Sequence, residues 1–146
     1  MEISVSKIVE ALGGEGLMKH PVRHELDLMA VVETGLPIES LIYLQSRFGF
    51  TNKIMSQILA ISESTYQRRV RAKDKLTKDE TEKVIALSEI FEKGMEVFEN
   101  EPDLNNWLTS PIRSLQHQRP VDLLDTILGR RQVMRVFNAI EHGIYL

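Results

Sequence analysis

The sequence contains no cysteine among its 146 residues. Disulfides, thiolate metal sites and cysteine nucleophiles are therefore excluded, and the composition suits a reducing cytoplasm. No apolar run approaches the ~18 residues that indicate a membrane span. The opening stretch MEISVSKIVEALGG also lacks the basic segment and long apolar run of a secretory signal. We therefore expect a cytoplasmic protein with no membrane segment.

Patterns typical of catalysis are equally scarce. There is no glycine-rich phosphate loop and no nucleophile elbow. Of the four histidines, only His20 and His24 stand four residues apart, and Pro21 between them disrupts the helical spacing that two metal ligands need. Neighbouring carboxylates such as Asp122 and Asp125 lack any accompanying feature of an acid–base pair. We expect no enzymatic activity, no metal site and no cofactor.

Helical periodicity dominates the chain, and no convincing alternating strand occurs. The predicted fold class is all-α. Thr51, Ser62 and Thr77 are predicted to cap helices, the last through a capping box with Glu80. Gly129 is interpreted as a helix stop. The helices are predicted at about 4–12, 21–35, 38–48, 51–60, 62–73, 77–100, 104–108, 120–129 and 130–142.

The pattern contains no repeat, low-complexity segment or flexible linker, and a seam is expected near 100–102. In the predicted helix at 21–35, the apolar residues Leu26, Leu28, Met29, Val31 and Val32 are expected mostly on one side. The polar stretch 110–119 is expected to form a loop. The single tryptophan, Trp107, lies among leucines and is interpreted as part of the core.

Positive charge is concentrated in one short stretch, STYQRRVRAKDKLTK at 64–78. This stretch carries a net charge of +5, whereas the whole chain carries −3. The negative charge of the whole chain argues against non-specific coating of nucleic acid, whereas the local positive charge permits binding through one basic face. The surrounding segment FTNKIMSQILAISESTYQRRVRAK has two short capped helices and a tight link, which is typical of a helix-turn-helix.

The second helix of this motif enters the DNA major groove, and the amino end of the first can hold a phosphate. Helix-turn-helix proteins that bind two DNA half-sites often dimerise, so a homodimer is also expected. An ordinary solvated basic face is the alternative, because Ala60 replaces the usual turn glycine and Glu63 adds a carboxylate. The predicted DNA-binding residues are Thr51, Asn52, Lys53, Ser62, Ser64, Thr65, Gln67, Arg68, Arg69, Arg71 and Lys73.

The segments TNKIMSQILAISESTYQRRV and LTKDETEKVIALSEIFEKGMEVF resemble the Xre-like half of the Xre/MbcA/ParS antitoxin family. The ending RPVDLLDTILGRRQVMRVFNAIEHGIYL, preceded by Trp107-Leu108 and Pro111, resembles the second half of that family more specifically. The resemblance covers about 36–146. The residues that match the C-terminal pattern are Pro120, Asp122, Leu123, Leu124, Thr126, Gly129, Val133, Ile140, Glu141, Gly143 and Tyr145.

The resemblance implies a type II antitoxin that binds and neutralises a RES-domain, NAD-consuming toxin and represses its own operon. It assigns 1–35 to a variable helical region, 36–100 to an Xre-like helix-turn-helix region and 101–146 to a toxin-binding region. Its implied partners are the cognate RES-domain toxin and operator DNA. Two alternatives stay open: a transcriptional regulator without a toxin, and an antitoxin whose helix-turn-helix only scaffolds.

Two features near the C-terminal end are candidates for toxin contact. The first is a cluster of arginines at the start of the last predicted helix, Arg130, Arg131 and Arg135. Arginines form bidentate contacts with carboxylates and are favoured at interfaces, although an ordinary solvated face explains this cluster equally well. The apolar stretch after Gly143 either folds back over the bundle near Trp107 or enters a partner's cleft, as the resemblance favours. The predicted toxin-binding residues are Arg130, Arg131, Arg135, Gly143, Ile144, Tyr145 and Leu146.

Overall fold

The computed structural model describes residues 3–144, and the all-α prediction is confirmed within this range. An isolated antiparallel bridge between Ile112 and Gln118 is the nearest approach to β-structure there. Short 3-10 turns occur at Glu15–Leu17, Glu25–Asp27, Arg113–Leu115 and Pro120–Leu123. The α-helices are α1 (Val5–Ala11), α2 (Leu28–Thr34), α3 (Ile38–Phe48), α4 (Asn52–Leu59), α5 (Glu63–Ala72), α6 (Lys78–Phe98), α7 (Glu101–Leu108) and α8 (Ile127–Glu141).

Helix α6 is the central element of the fold, and α1, α2, α7 and α8 all pack against it. It begins with the predicted capping box, in which Thr77 accepts from the Glu80 amide and Glu80 accepts from the Thr77 amide. Its fully buried residues, including Val84, Leu87 and Phe91, recur at helical spacing. The long helix therefore presents apolar residues to neighbours on several sides.

The helix-turn-helix forms as predicted from its hydroxyl caps. Thr51 accepts from the Ile54 amide at the start of α4, and Ser62 accepts from the Thr65 amide at the start of α5. Ala60 adopts the left-handed conformation, with φ of 59°, in the turn where the motif often has glycine. This conformation costs about 1–2 kcal/mol for a residue with a Cβ, and burial of Met55, Ile58 and Tyr66 around the turn offsets it.

The predicted boundary at Gly129 is wrong. Thr126 caps a helix that runs continuously through Gly129, and only a 3-10 turn at Pro120–Leu123 precedes it. Gly129 is needed for close approach rather than for a stop, because a Cβ there would overlap the carbonyl oxygen of Leu123. A glycine inside a helical pattern can mark such a packing requirement.

The segment 21–35 is also shorter and less amphipathic than predicted. The carboxylate of Asp27 accepts from the amides of Arg23 and His24 at 2.9 and 3.0 Å, which satisfies the backbone before α2 begins. Leu28 and Val31 face the core, but Leu26 and Met29 are 74% and 61% exposed. The apolar residues predicted to share one side of the helix therefore do not all face the core, since some are buried and others are exposed.

Candidate functional site

The exposed face of α5 carries most of the predicted DNA-binding side chains. Ser64, Gln67, Arg68, Arg71 and Lys73 are all exposed. Thr65 is half-buried, and its hydroxyl accepts a 2.8 Å hydrogen bond from the capping hydroxyl of Ser62. Ser64, Gln67, Arg68 and Arg71 therefore share one solvent-facing side of α5, and Lys73 lies at the end of the helix.

Arg69 differs from the other predicted DNA contacts because its side chain faces α6. Its Nη2 donates to Oε1 of Glu80 at 2.7 Å, and both side chains are largely buried. The hydrogen bond from Arg69 lowers the pKa of Glu80 to about 2, and the same bond raises the pKa of Arg69. Arg69 therefore fixes the recognition helix against α6, and its guanidinium is engaged within the protein.

A partly buried polar network that the sequence did not reveal links α3 to the helix-turn-helix. The hydroxyl of Tyr66 donates to Oε1 of Gln45, and burial raises the pKa of Tyr66 to about 12. Nε2 of Gln45 donates to the carbonyl of Phe50 at 3.1 Å and to Oδ1 of Asn52 at 2.9 Å. The network therefore holds Asn52, a predicted phosphate contact, in a fixed orientation.

The amino end of α4 is solvent-facing, as phosphate binding requires. Thr51, Asn52 and Lys53 are all exposed. The Thr51 hydroxyl is used as the helix cap, accepting from Ile54 at 3.1 Å, so its side chain has a structural partner. A groove of about 450 Å³ lies beside this end, between α3 and α5, and Gln67 and Arg71 line its far side.

The arginines of α8 fall into two groups. Arg131 and Arg135 are exposed and lie one helical turn apart on the side that also carries Leu128, which is 61% exposed. Arg130 points inward and donates to the carbonyl of Leu124 at 2.8 Å. Burial lowers the pKa of Arg130. Only the first two arginines therefore offer their charge to solvent.

The end of α8 is tightly fixed. Gly143 has φ of +72°, its amide donates to Ile140, and the Ile144 amide donates to Ala139 at 2.8 Å. This pattern is a Schellman cap, which needs a left-handed residue at the position of Gly143. Ile144 is 56% exposed. The predicted contacts Tyr145 and Leu146 lie outside the described residues.

A buried lysine holds the same helix end from the side. The Lys93 ammonium lies 2.7 Å from the Glu141 carboxylate and 3.4 Å from that of Glu96. Burial acts most strongly on the pKa of Lys93 and lowers it, but the hydrogen bonds and charges of Glu141 and Glu96 together outweigh burial and raise the pKa. Trp107 packs nearby in an aromatic cluster, with ring centroids 5.5 Å from Phe98 and 5.0 Å from Phe137.

Across residues 3–144, no helix is long and apolar enough to cross a membrane. The same range contains no cluster of three or more histidine or carboxylate side chains that could hold a metal ion. The described residues form a small helical protein that contains a helix-turn-helix. A C-terminal helical unit follows the helix-turn-helix and packs on the central helix, α6.

Comparison with known proteins places this architecture in a family. Residues 27–88 match the antitoxin Xre-like helix-turn-helix domain, and residues 93–143 match the antitoxin Xre/MbcA/ParS C-terminal toxin-binding domain. The antitoxin Xre of Photorhabdus laumondii is 30% identical over 118 residues, which cover 80% of each chain. The chain belongs to the Xre/MbcA/ParS antitoxin family and is an antitoxin of a toxin–antitoxin system.

Two more distant similarities agree with this assignment. A Prs ADP-ribosylating antitoxin from a Sphingobium species is 22% identical over 129 residues, covering 82% of this chain and 81% of that protein. A chain of the M. tuberculosis MbcT–MbcA toxin–antitoxin complex superposes with a TM-score of 0.55 at 24% identity, covering 70% of this chain and 90% of that chain. This last likeness supports the fold.

Proposed function

We propose that this antitoxin binds and neutralises a cognate RES-domain, NAD-consuming toxin, and that as a homodimer it represses its own operon. In this proposal each of the three segments of the chain has a separate role. Residues 36–100 bind operator DNA, residues 101–146 bind the toxin, and residues 1–35 complete the bundle. The protein itself has no catalytic role in this proposal.

The observation that carries the toxin-binding half is the exposed surface of α8. Leu128, Arg131 and Arg135 line one exposed side of the helix and lead toward Ile144 at its end. Arginine and apolar side chains together are typical of interface residues. This surface lies inside the segment that matches a toxin-binding domain. Gly143 sets the direction in which Ile144 leaves the helix.

The test of this half is co-expression with the proposed cognate RES-domain toxin. Cells that carry the wild-type antitoxin should keep their NAD and continue to grow. An Arg131→Glu/Arg135→Glu variant should lose protection, because two charges at the proposed interface are reversed. The matched control is Lys19→Glu/Arg23→Glu, two exposed basic residues outside the toxin-binding segment. Equal protection by both double variants would remove α8 from the interface.

The observation that carries the DNA-binding half is the exposed basic side of α5, with Arg68, Arg71 and Lys73 pointing to solvent. The amino end of α4 provides a second phosphate contact beside it. Binding to the promoter of its own operon should weaken steeply with salt, because phosphate contacts release counterions. A gel-shift series from low to high salt checks this, and binding that is independent of salt would contradict it.

A further inference from the structure

A chain of three polar side chains runs from the protein interior to the amino end of α4. The hydroxyl of Tyr66 donates to Oε1 of Gln45. Nε2 of Gln45 donates to the carbonyl of Phe50 at 3.1 Å and to Oδ1 of Asn52 at 2.9 Å. Tyr66 is 1% exposed, Gln45 is half-buried and Asn52 is exposed. The chain therefore connects a core residue to a surface residue through Gln45.

The carbonyl of Phe50 fixes the direction of the hydrogen bonds in this chain. A carbonyl oxygen only accepts, so Gln45 must turn its NH2 group toward Phe50 and its oxygen toward Tyr66. The Tyr66 hydroxyl then donates, and it keeps its proton because burial raises the pKa of Tyr66 to about 12. The second hydrogen of the Gln45 NH2 group points to Asn52, whose oxygen accepts it. This leaves the NH2 group of the exposed Asn52 as a donor toward solvent.

Asn52 also lines the groove of about 450 Å³ between α3 and α5, together with Gln67 and Arg71 from the exposed side of α5. Among the described residues that line this groove, Arg71 is the only charged one and none is a carboxylate. This is a local exception, because Asp and Glu outnumber Lys and Arg by 21 to 18 in the whole chain. One guanidinium and two side-chain amides suit a phosphate of the DNA backbone.

We propose that Gln45 is a positioning residue for DNA binding, which keeps the NH2 group of Asn52 turned toward a backbone phosphate that lies in this groove. The inference rests on the proposed DNA-binding function and extends it to a residue of α3, outside the helix-turn-helix. Without Gln45, the Asn52 amide can rotate and present its oxygen, which a phosphate repels because both groups are acceptors. Gln45 thus acts on DNA through Asn52.

Gel shifts with the full chain and a duplex of its own promoter test this role. Gln45→Met keeps the length of the side chain and removes its amide, so binding should weaken by about tenfold through the lost contact to a charged group. The dependence of affinity on salt should stay the same, because no cationic contact is lost. Arg71→Ala is the comparison and should reduce the salt slope by about one. A reduced slope for Gln45→Met would show that the whole helix-turn-helix has shifted, and would overturn the proposal.

A double-mutant cycle separates positioning from support of the fold. Asn52→Ala should weaken binding about as much as Gln45→Met, and adding Gln45→Met to Asn52→Ala should then change affinity by no more than about twofold. The matched control is Tyr66→Phe, which removes a hydrogen bond at the other end of the chain but leaves the bond between Gln45 and Asn52. This control should bind DNA like wild type. A full further loss in the Asn52→Ala protein, or an equal loss for Tyr66→Phe, would mean that Gln45 only supports the fold.

The sequence of the DNA provides a second check on the phosphate contact. Contacts to the backbone carry no sequence information, so Gln45→Met should weaken binding to the promoter duplex and to a duplex of random sequence by the same factor. A loss confined to the promoter duplex would mean that Asn52 contacts a base, and would overturn the assignment to a phosphate.

Failure of this inference can be told apart from failure of the proposed function. A wild-type protein that shifts promoter DNA, with a Gln45→Met variant that binds it equally tightly, would overturn the positioning role alone. A Gln45→Met variant that keeps DNA binding but no longer binds the proposed RES-domain toxin would assign the groove to the toxin and equally overturn it. A wild-type protein that binds no promoter DNA would reject the DNA-binding half of the proposed function, and this inference with it.

Discussion

The buried ammonium of Lys93 and the carboxylate of Glu141 lie 2.7 Å apart, joining the last third of α6 to the last residue of α8. The side chain of Lys93 is 1% exposed, and Glu96 at 3.4 Å provides its second carboxylate. Glu96 also contacts Lys7 of α1 at 3.8 Å. This pair therefore fixes the helix end from which the proposed toxin-binding residues leave.

Substitution of Glu141 and substitution of Lys93 should affect the stability of the protein differently. Glu141→Gln should lower the melting temperature, because it leaves a buried ammonium with a weaker partner. Lys93→Met should change the free energy of unfolding by less than about 1 kcal/mol or increase it, because it also removes the cost of burying a charge. Thermal and denaturant unfolding measure both effects. Lys7→Met, at the exposed end of the network, is the control and should change little.

The Arg69–Glu80 pair should make stability depend on acid pH. Hydrogen bonding to Arg69 lowers the pKa of Glu80 from 4.5 to about 2. A carboxyl with a depressed folded pKa stabilises the protein above its unfolded pKa and loses that contribution as pH falls through the folded value. Glu80→Gln keeps the helix cap but removes the charge.

At pH 7 wild type should therefore exceed Glu80→Gln by about 2 kcal/mol. The difference should shrink below pH 4.5 and vanish near pH 2. Urea unfolding over this range measures it. A difference that stays constant from pH 7 to pH 2 would show that the carboxylate charge is not responsible.

The adjacent residues Arg68 and Arg69 should separate DNA binding from stability. Arg68 is exposed, so Arg68→Ala should weaken operator binding by about 1–3 kcal/mol if it reads a base, with an unchanged melting temperature. Arg69→Ala should lower the melting temperature, because it leaves Glu80 without its partner. Gel shifts and thermal unfolding on both variants check this. The reverse pattern would mean that Arg69 leaves Glu80 to contact DNA.

Gly129 should not tolerate a side chain. A Cβ at this position would overlap the Leu123 carbonyl, so Gly129→Ala should destabilise the fold by about 1–3 kcal/mol or more. Gly16→Ala is the control, because no atom lies within 4 Å of the added Cβ. Denaturant unfolding of the two variants measures the difference, and equal stabilities would contradict this account of the turn before α8.

Local signals predicted the helix-turn-helix well, because its caps depend on residues three apart in sequence. Thr51, Ser62 and Thr77 all cap helices as predicted. The inward turn of Arg69 depends on Glu80 from the next helix, and the burial of Lys93 depends on Glu141, which is 48 residues away. Such pairs are decided by tertiary packing, which helical periodicity does not record.

Gly129 shows the same limit at a boundary. Its type alone indicates a helix stop, whereas the capping hydroxyl of Thr126 and the nearby Leu123 carbonyl place it inside α8. The exposure of Leu26 and Met29 is likewise not predictable from the pattern, because apolar spacing does not show which side of a segment has a neighbour to pack against.

The affinity of the proposed RES-domain toxin for wild type and for a variant that lacks residues 144–146 tests the central claim most directly. Burial of apolar tail residues is worth roughly 1.5–3 kcal/mol each at best, before ordering costs. The account predicts that the truncated protein binds the toxin tens to hundreds of times more weakly, with its fold and operator binding largely intact. Undiminished toxin binding together with a melting temperature lowered by several degrees would contradict it.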